Sequence, residues 1–319
     1  MSVPEALLQH KYVAWLEVAV EAATAAGTII KGAFQGVKQV SEKLNHADLV
    51  TETDKAAEDL IFARIRRSFP DHALIGEESC SAAGGCGELG DGPTWMVDPL
   101  DGTTNFVHKF PFVCTSIAVA VGRVVVAGVV YNPVLDELFV AAAGGGAYLN
   151  GQRLAVSGHT QMAGALLGTE IGTARDAPTL DAMFGRLRAL VGRMRAVRCS
   201  GSCALNLASV AAGRLDAFYE INFGGCWDAA AGGLLVAEAG GCVLDPAGGP
   251  WDVMARRVLG ASSRELGQAV AAVLAGCELG PHEAGPPGPL PAGGRDSLGQ
   301  AGEAQGTAEG EANGKAGQE

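Results

Sequence analysis

Two aspartates three residues apart, Asp98 and Asp101, close the apolar run of WMVDPLDGTTNF, residues 95 to 106. Carboxylates crowded at the end of a buried segment raise one another's pKa until one takes up a proton or a cation joins them. With no Cys or His beside them, such oxygen donors favour Mg2+ over zinc or copper, and Mg2+ keeps positions open for water and phosphate oxygens. The same two residues could instead simply cap a turn and a helix, a common use of Asp in a D-G-T sequence. Further acids stand at the exits of other apolar segments: Glu77 and Glu78 in IGEES, and Asp228 in GGCWDAAAGG. Singly each reads as an N-cap or a loop charge; jointly they suggest one shared site. Gly102-Thr103-Thr104-Asn105 opens a short helix whose free N–H groups suit an anion. Residues 94 to 107 contain no Lys or Arg, so cations held by the acids would have to meet the charge of a phosphate.

The elements that must position these residues fall into two regions. Leu7, Leu8, Val13, Leu16, Val20, Ile29 and Phe34 recur at helical spacing over 4–34, a helix ending at Gly36, and a second helix is expected over 52–68 with Thr51 or Thr53 as N-cap and Pro70 beyond it. After ALIGEE and a Gly-rich stretch, 82–92, the runs WMV, CTSIAVAV, VVVAGVVYNP, ELFVAAA and GAYLNGQRL read as a meander of strands. From about 163, strand and helix alternate: LLGTE, a helix near 177–192, MRAVRC, a helix near 202–212, DAFYE, a helix near 228–239, and CVLD. The expected organisation is an α+β N-terminal part over 1–150, an α/β part over 151–278, and a Gly/Pro/Ala/Glu-rich tail over 279–319 with too few large apolar residues to fold.

The 319 residues are 48% hydrophobic, ample for a core, and carry a formal net charge of −12, which excludes holding nucleic acid or anionic lipid by a basic surface. The segment 1–23 shows neither a secretion signal nor a transit peptide, so the cytoplasm is the expected compartment. The longest apolar stretch, Val113 to Val130, is broken by Gly122-Arg123 and suits two strands, so no membrane span is expected. The eight cysteines include no C-x-x-C pair, and reduced, mostly buried thiols are expected, with Cys199 and Cys203 at helical spacing. Gly85-Cys86-Gly87-Glu88-Leu89-Gly90 fits G-x-G-x-x-G but lacks the flanking strand and helix of a dinucleotide site.

WMVDPLDGTT and GGCWDAAAG resemble the paired signatures of the inositol monophosphatase family. DLVTETD (48–54), IGEES (75–79), FVHKFPFVCTSIA (106–118), GVVYNP (128–133), SGSCALN (200–206) and FYEINFGGCWD (218–228) follow in family order, from about residue 5 to 276. The last is most similar to the plant-type branch, whose members act on myo-inositol monophosphates and on L-galactose 1-phosphate. The resemblance implies a layered αβαβα sandwich, usually dimeric, and lithium-inhibited, Mg2+-dependent hydrolysis of a phosphate monoester. By the same resemblance, Glu77, Asp98 and the Leu100 carbonyl hold one Mg2+, Asp98, Asp101 and Asp228 a second, and Glu77 leans toward a third. Thr103, hydrogen-bonded to Asp54, would orient the attacking water, while the Gly102 and Thr103 amides hold phosphate. Gly201, Ser202, Cys203 and Glu220 would meet the alcohol portion, and Lys43 aligns with a mobile-loop lysine or is an ordinary surface lysine. The FGG before Cys226-Trp227 departs from the animal enzymes, and Cys226 from the proline of plant members. A bisphosphate nucleotidase, fructose bisphosphatase or histidinol phosphatase remains the enzymatic alternative, and a non-catalytic cation-binding protein the other.

Overall fold

The computed structural model describes residues 1–281, together with Glu283, Leu298 and Gly299; most of the expected disordered tail lies outside the described residues. Helix α1 (Val13–Phe34) follows a short 3-10 turn, so the helical spacing read from residue 4 belongs to a helix that starts nine residues later. A two-stranded ribbon, β1 (Val40–Glu42) and β2 (Leu49–Thr51), leads into α2 (Glu52–Ser68). Thr51 caps α2, and Asp54 at the third helical position reaches back to the Thr51 N–H at 2.9 Å, a reciprocal capping box.

β3 (Ala73–Gly76) and α3 (Glu77–Ala83) come next, then β4 (Thr94–Asp101) and a one-turn helix α4 (Thr103–Val107). β5 (Cys114–Val121), β6 (Val124–Asn132), β7 (Glu137–Ala142), β8 (Gly146–Leu149) and β9 (Gln152–Arg153) complete a seven-stranded sheet in the order β3-β4-β5-β6-β7-β8-β9. Only the β3–β4 pair is parallel. Gly122 and Arg123, at φ 55° and 68°, make the tight turn between β5 and β6.

The second sheet collects β10 (Leu166–Thr169), β11 (Ala196–Arg198), β12 (Ala217–Ile221), β13 (Cys242–Leu244) and β14 (Arg257–Ala261), in the order β11-β10-β12-β14-β13. Its helices are α5 (Ala177–Val191), α6 (Cys203–Ala211), α7 (Cys226–Glu238) and α8 (Arg264–Leu274).

Side-chain alternation along the strands sets the layers. On one face of the large sheet, Trp95, Val97, Ile117 and Val129 pack under Leu16 and Val20 of α1 and Ile61 and Ile65 of α2. On the other, Met96, Ala118, Val130 and Phe139 meet Ala204, Leu207, Ala231 and Leu234 of α6 and α7, which also touch Phe218 and Val258 of the small sheet. The outer face of that sheet carries Leu190 of α5 and Leu266 and Val270 of α8. The result is the expected αβαβα sandwich. α1 is long and apolar enough to cross a membrane by length and composition, but Leu16, Val20 and Ala23 lie in the packed layer against α2 and the sheet.

α7 is buried along nearly its whole length and lies so close to the large sheet that a Cβ on Gly128 of β6 would stand 3.0 Å from Ala231 Cα. That contact sets the height of α7 above the sheet. Gly128→Val is therefore expected to lower unfolding stability by about 1–3 kcal/mol through overpacking, read as a lower urea midpoint at unchanged slope.

Candidate active site

Asp98 and Asp101 are an odd number of residues apart, and in a regular strand they would face opposite sides of the sheet. They do not. β4 pairs Asp98 with Ser116 but Asp101 with Cys114, so three steps on β4 span two on β5. This bulge contains Pro99, which has no N–H to contribute to the ladder. Leu100 turns into a small apolar cluster with Ile30, Phe34, Phe106 and Val113, while both aspartates face the central helix layer. There Asp228 sits in the first turn of α7 and accepts from the Gly225 N–H at 2.8 Å. Ser116 Oγ, beside Asp98, donates to the Trp227 carbonyl at 2.9 Å and ties the start of α7 to β5. Carboxylate oxygens of Asp98, Asp101 and Asp228 lie within 4.8 Å of one another, all three side chains buried.

Each acid is held by donors that fix its direction. Leu100 N–H donates to Asp98 Oδ1 at 2.9 Å. Asp101 Oδ2 accepts from Ser202 Oγ at 2.6 Å and from Ala204 N–H at 2.8 Å, while the Ser202 hydroxyl also caps α6 by accepting from Leu205 N–H at 3.2 Å. No Lys or Arg among the described residues forms an ion pair with these three acids; Arg256 and Lys43 act on Asp228 only at a distance. Burial, then the charges of Glu77, Asp101 and Asp228, push the Asp98 carboxyl well above its ordinary range. Burial and the Asp228 charge push Asp101 up to about 7, against the opposing pull of the Ser202 hydrogen bond. A proton or a cation must resolve this repulsion, and an all-oxygen donor set with no internal counter-charge fits a hard divalent cation.

Glu77 stands next to the triad without being part of it. It opens α3, and its Oε1 accepts from Lys43 Nζ at 2.8 Å, the same lysine that reaches Glu78 Oε1 at 2.8 Å. Lys43 thus sits beside the acids as a counter-ion rather than on the free surface. Burial raises the Glu77 carboxyl to about 8, with Lys43 opposing and Asp228 adding to the shift. Beside the triad, Thr103 Oγ1 lies 3.0 Å from Asp54 Oδ1 and 3.2 Å from the Leu100 carbonyl. Burial lifts the Asp54 carboxyl to about 6, although the hydrogen bonds from Thr51 act against it.

Gly102 has φ 91°, and a Cβ there would meet the Phe112 carbonyl at 2.9 Å and the Gly201 carbonyl at 3.1 Å, so only glycine fits. Gly201, Ser202 and Cys203 form the entry to α6. Cys203 is buried at its first position and Cys199 is exposed before the helix begins, so the two do not share a helix face as their spacing had suggested. Glu220, at the end of β12, is buried, and its Oε2 has no hydrogen-bond partner. Burial and the charges of Glu170 and Asp228 push its carboxyl well up.

Three contributors escaped the sequence reading. Glu170 holds the Ser200–Gly201 backbone, Asn105 holds it from the other side, and Glu58 of α2 accepts from the Glu78 and Ser79 N–H groups at 2.9 and 2.8 Å, anchoring the start of α3. Glu170 follows the apolar LLGT of β10 as Asp101 closes the buried run of β4, which is the one signal that could have marked it.

The family model described as "Inositol monophosphatase family" matches residues 11–278. The chain belongs to that family. As a member it is an enzyme, a phosphoric monoester hydrolase, and the buried acids match the family's dependence on metal. Among its relatives, inositol monophosphatase 2 of Solanum lycopersicum is 55% identical over 244 residues, 76% of this chain and 92% of the relative. Inositol monophosphatase 2 of Homo sapiens is 44% identical over 259 residues, 81% and 89% of the two chains. Among solved structures, the extragenic suppressor protein SuhB of Bartonella henselae superposes with a TM-score of 0.73 at 36% identity, covering 82% of this chain and 98% of that one.

If the triad holds a divalent cation, Mg2+ is expected to raise the melting temperature relative to EDTA. At a hundredfold excess over Kd the gain is about 2.7 kcal/mol. Asp228→Asn is expected to remove most of that gain, as read by calorimetry in the two buffers.

Proposed function

We propose that this hydrolase cleaves a sugar or polyol phosphate monoester, myo-inositol monophosphate and/or L-galactose 1-phosphate, with two to three Mg2+ ions. The observation that carries the reading is the buried triad of aspartates with oxygens within 4.8 Å, standing beside the Thr103–Asp54 pair. Glu77, Asp98 and the Leu100 carbonyl would hold one ion, and Asp98, Asp101 and Asp228 another, with Glu77 leaning toward a third. When bound, these ions supply the positive charge that gathers the phosphate, acidifies water and steadies the departing alkoxide.

The remaining work belongs to the chain. Thr103 Oγ1 donates its proton to Asp54, which leaves its lone pairs free to accept from the attacking water and hold it in line with phosphorus. The Gly102 and Thr103 amides take phosphate oxygens. Gly201, Ser202 and Cys203 meet the hydroxyls of the alcohol, and the unpartnered Glu220 Oε2 is an acceptor suited to a ring hydroxyl. Lys43 balances Glu77 and Glu78 and so tunes the weaker ion position. We further propose a cytoplasmic, lithium-sensitive homodimer that binds neither nucleic acid nor membrane, with its two parts meeting near residue 150.

Phosphate release from myo-inositol 1-phosphate, L-galactose 1-phosphate and histidinol phosphate, with and without Mg2+, tests the proposal. Mg2+-dependent release from at least one of the two sugar esters, at higher kcat/KM than from histidinol phosphate, is expected, and no release from either overturns the reading. Asp98→Asn keeps the volume and loses a shared ligand. It should leave the circular dichroism spectrum intact and lower kcat more than tenfold. Thr103→Val should lower kcat about a hundredfold, the scale of a lost proton-handling group.

A further inference from the structure

Building on the polyol-phosphate reading, we infer that Glu170 is a positioning residue for recognition of the alcohol portion: it clamps the Ser200–Gly201 segment at the entry to α6. A single carboxylate oxygen, Glu170 Oε1, accepts from the N–H groups of Ser200 at 2.9 Å and Gly201 at 2.7 Å and from Asn206 Nδ2 at 2.6 Å. The carbonyl side of the same segment is held by Asn105, whose Nδ2 donates to Ser200 O at 2.8 Å and to Phe112 O at 2.8 Å. The two side chains thus hold the segment by its N–H groups and by a carbonyl, Glu170 from just beyond β10 and Asn105 from α4.

The segment cannot hold this shape by itself. Gly201 sits at φ 83°, and a Cβ there would stand 2.8 Å from Asn105 Nδ2, so the backbone presses directly onto its anchor. An unsupported glycine in this region would sample many conformations. Charge-assisted hydrogen bonds to a carboxylate are roughly twice as strong as neutral ones, which makes an acid a firmer clamp than an amide.

The position of Glu170 follows from sheet pairing. β10 and β12 are parallel with Thr169 opposite Tyr219, so Glu170 and Glu220 leave the sheet side by side at the carboxyl ends of their strands. Glu220 keeps an unpartnered oxygen, whereas Glu170 spends one of its own on the backbone. One acid keeps an oxygen available to a hydroxyl, and its neighbour fixes the Ser200–Gly201 segment.

The clamp acts on the alcohol side, and the triad on the phosphate side, so the two are separable by substrate. We compare myo-inositol 1-phosphate with p-nitrophenyl phosphate, which has a leaving group without hydroxyls. Glu170→Ala is expected to lower kcat/KM for the inositol ester by about thirtyfold, carried mainly by KM, with a loss on p-nitrophenyl phosphate at least fivefold smaller. Glu170→Gln keeps an acceptor in place and is expected to recover kcat/KM to within about fivefold of wild type. Should Glu170→Ala fail to fold, Asn105→Ala cuts the opposite anchor and is expected to show the same substrate split. Equal losses on both esters, or no loss, overturn the inference. A wild-type enzyme that cleaves p-nitrophenyl phosphate but no polyol phosphate overturns the functional reading beneath it.

Discussion

Three carboxylates held within 4.8 Å of one another in a buried place repel strongly, and the surrounding structure serves to keep them there. An isolated buried carboxylate costs several kcal/mol and left to itself would relax into solvent or change its protonation. The fold prevents relaxation by growing each acid from an element that cannot move alone. Asp98 and Asp101 belong to a fully buried strand inside a seven-stranded sheet, and Asp228 belongs to the first turn of a helix enclosed on all sides. The tie from Ser116 to the Trp227 carbonyl and the close approach of Gly128 to Ala231 lock that helix against that sheet. The strain is concentrated where a cation can relieve it, so affinity for metal and cohesion of the protein draw on the same interaction.

The site is divided by origin. Asp98, Asp101, Gly102 and Thr103 come from the end of β4 and the start of α4, and are joined by Asp54 from α2 and Glu77 from α3. Glu170, Ser200 to Cys203 and Glu220 come from the carboxyl ends of β10 and β12 and the entry to α6, the usual place for a ligand at parallel strands. Asp101 is the hinge between them, since its Oδ2 takes both the Ser202 hydroxyl and the Ala204 N–H. Through that oxygen, the position of Asp101 and that of the loop at 200–204 depend on each other.

Much of this was legible in the residue order, for local reasons. Thr51 could be read as an N-cap candidate beside Thr53, and the tight turn at Gly122-Arg123 and the strand runs around it could be read at once; the reciprocal bond from Asp54 was not among the expectations. The start of α1 was not, because apolar spacing over 4–12 continues into a 3-10 turn. Cys199 and Cys203 misled for a similar reason: their spacing fits a helix, but the helix begins only at Cys203. Asn105 gave no usable signal and Glu170 only its place after an apolar strand, since the Ser200–Gly201 backbone they hold lies 30 or more residues away, and a backbone group has no identity in a sequence.

By itself the order of residues determined which groups are available: acids at the exits of buried strands, glycines where no side chain fits, no basic residue in 94–107 to neutralise them. It also determined the alternation that sorts each strand into two faces. What it could not determine was that Asp98 and Asp101, an odd number apart, would share a face, because that depends on a bulge set by pairing with β5. Nor could it place Asp228 against them across 127 residues of chain. Those decisions belong to the packing of α7 between two sheets, where distance is set by which side chains can fit rather than by how far apart they lie along the polymer.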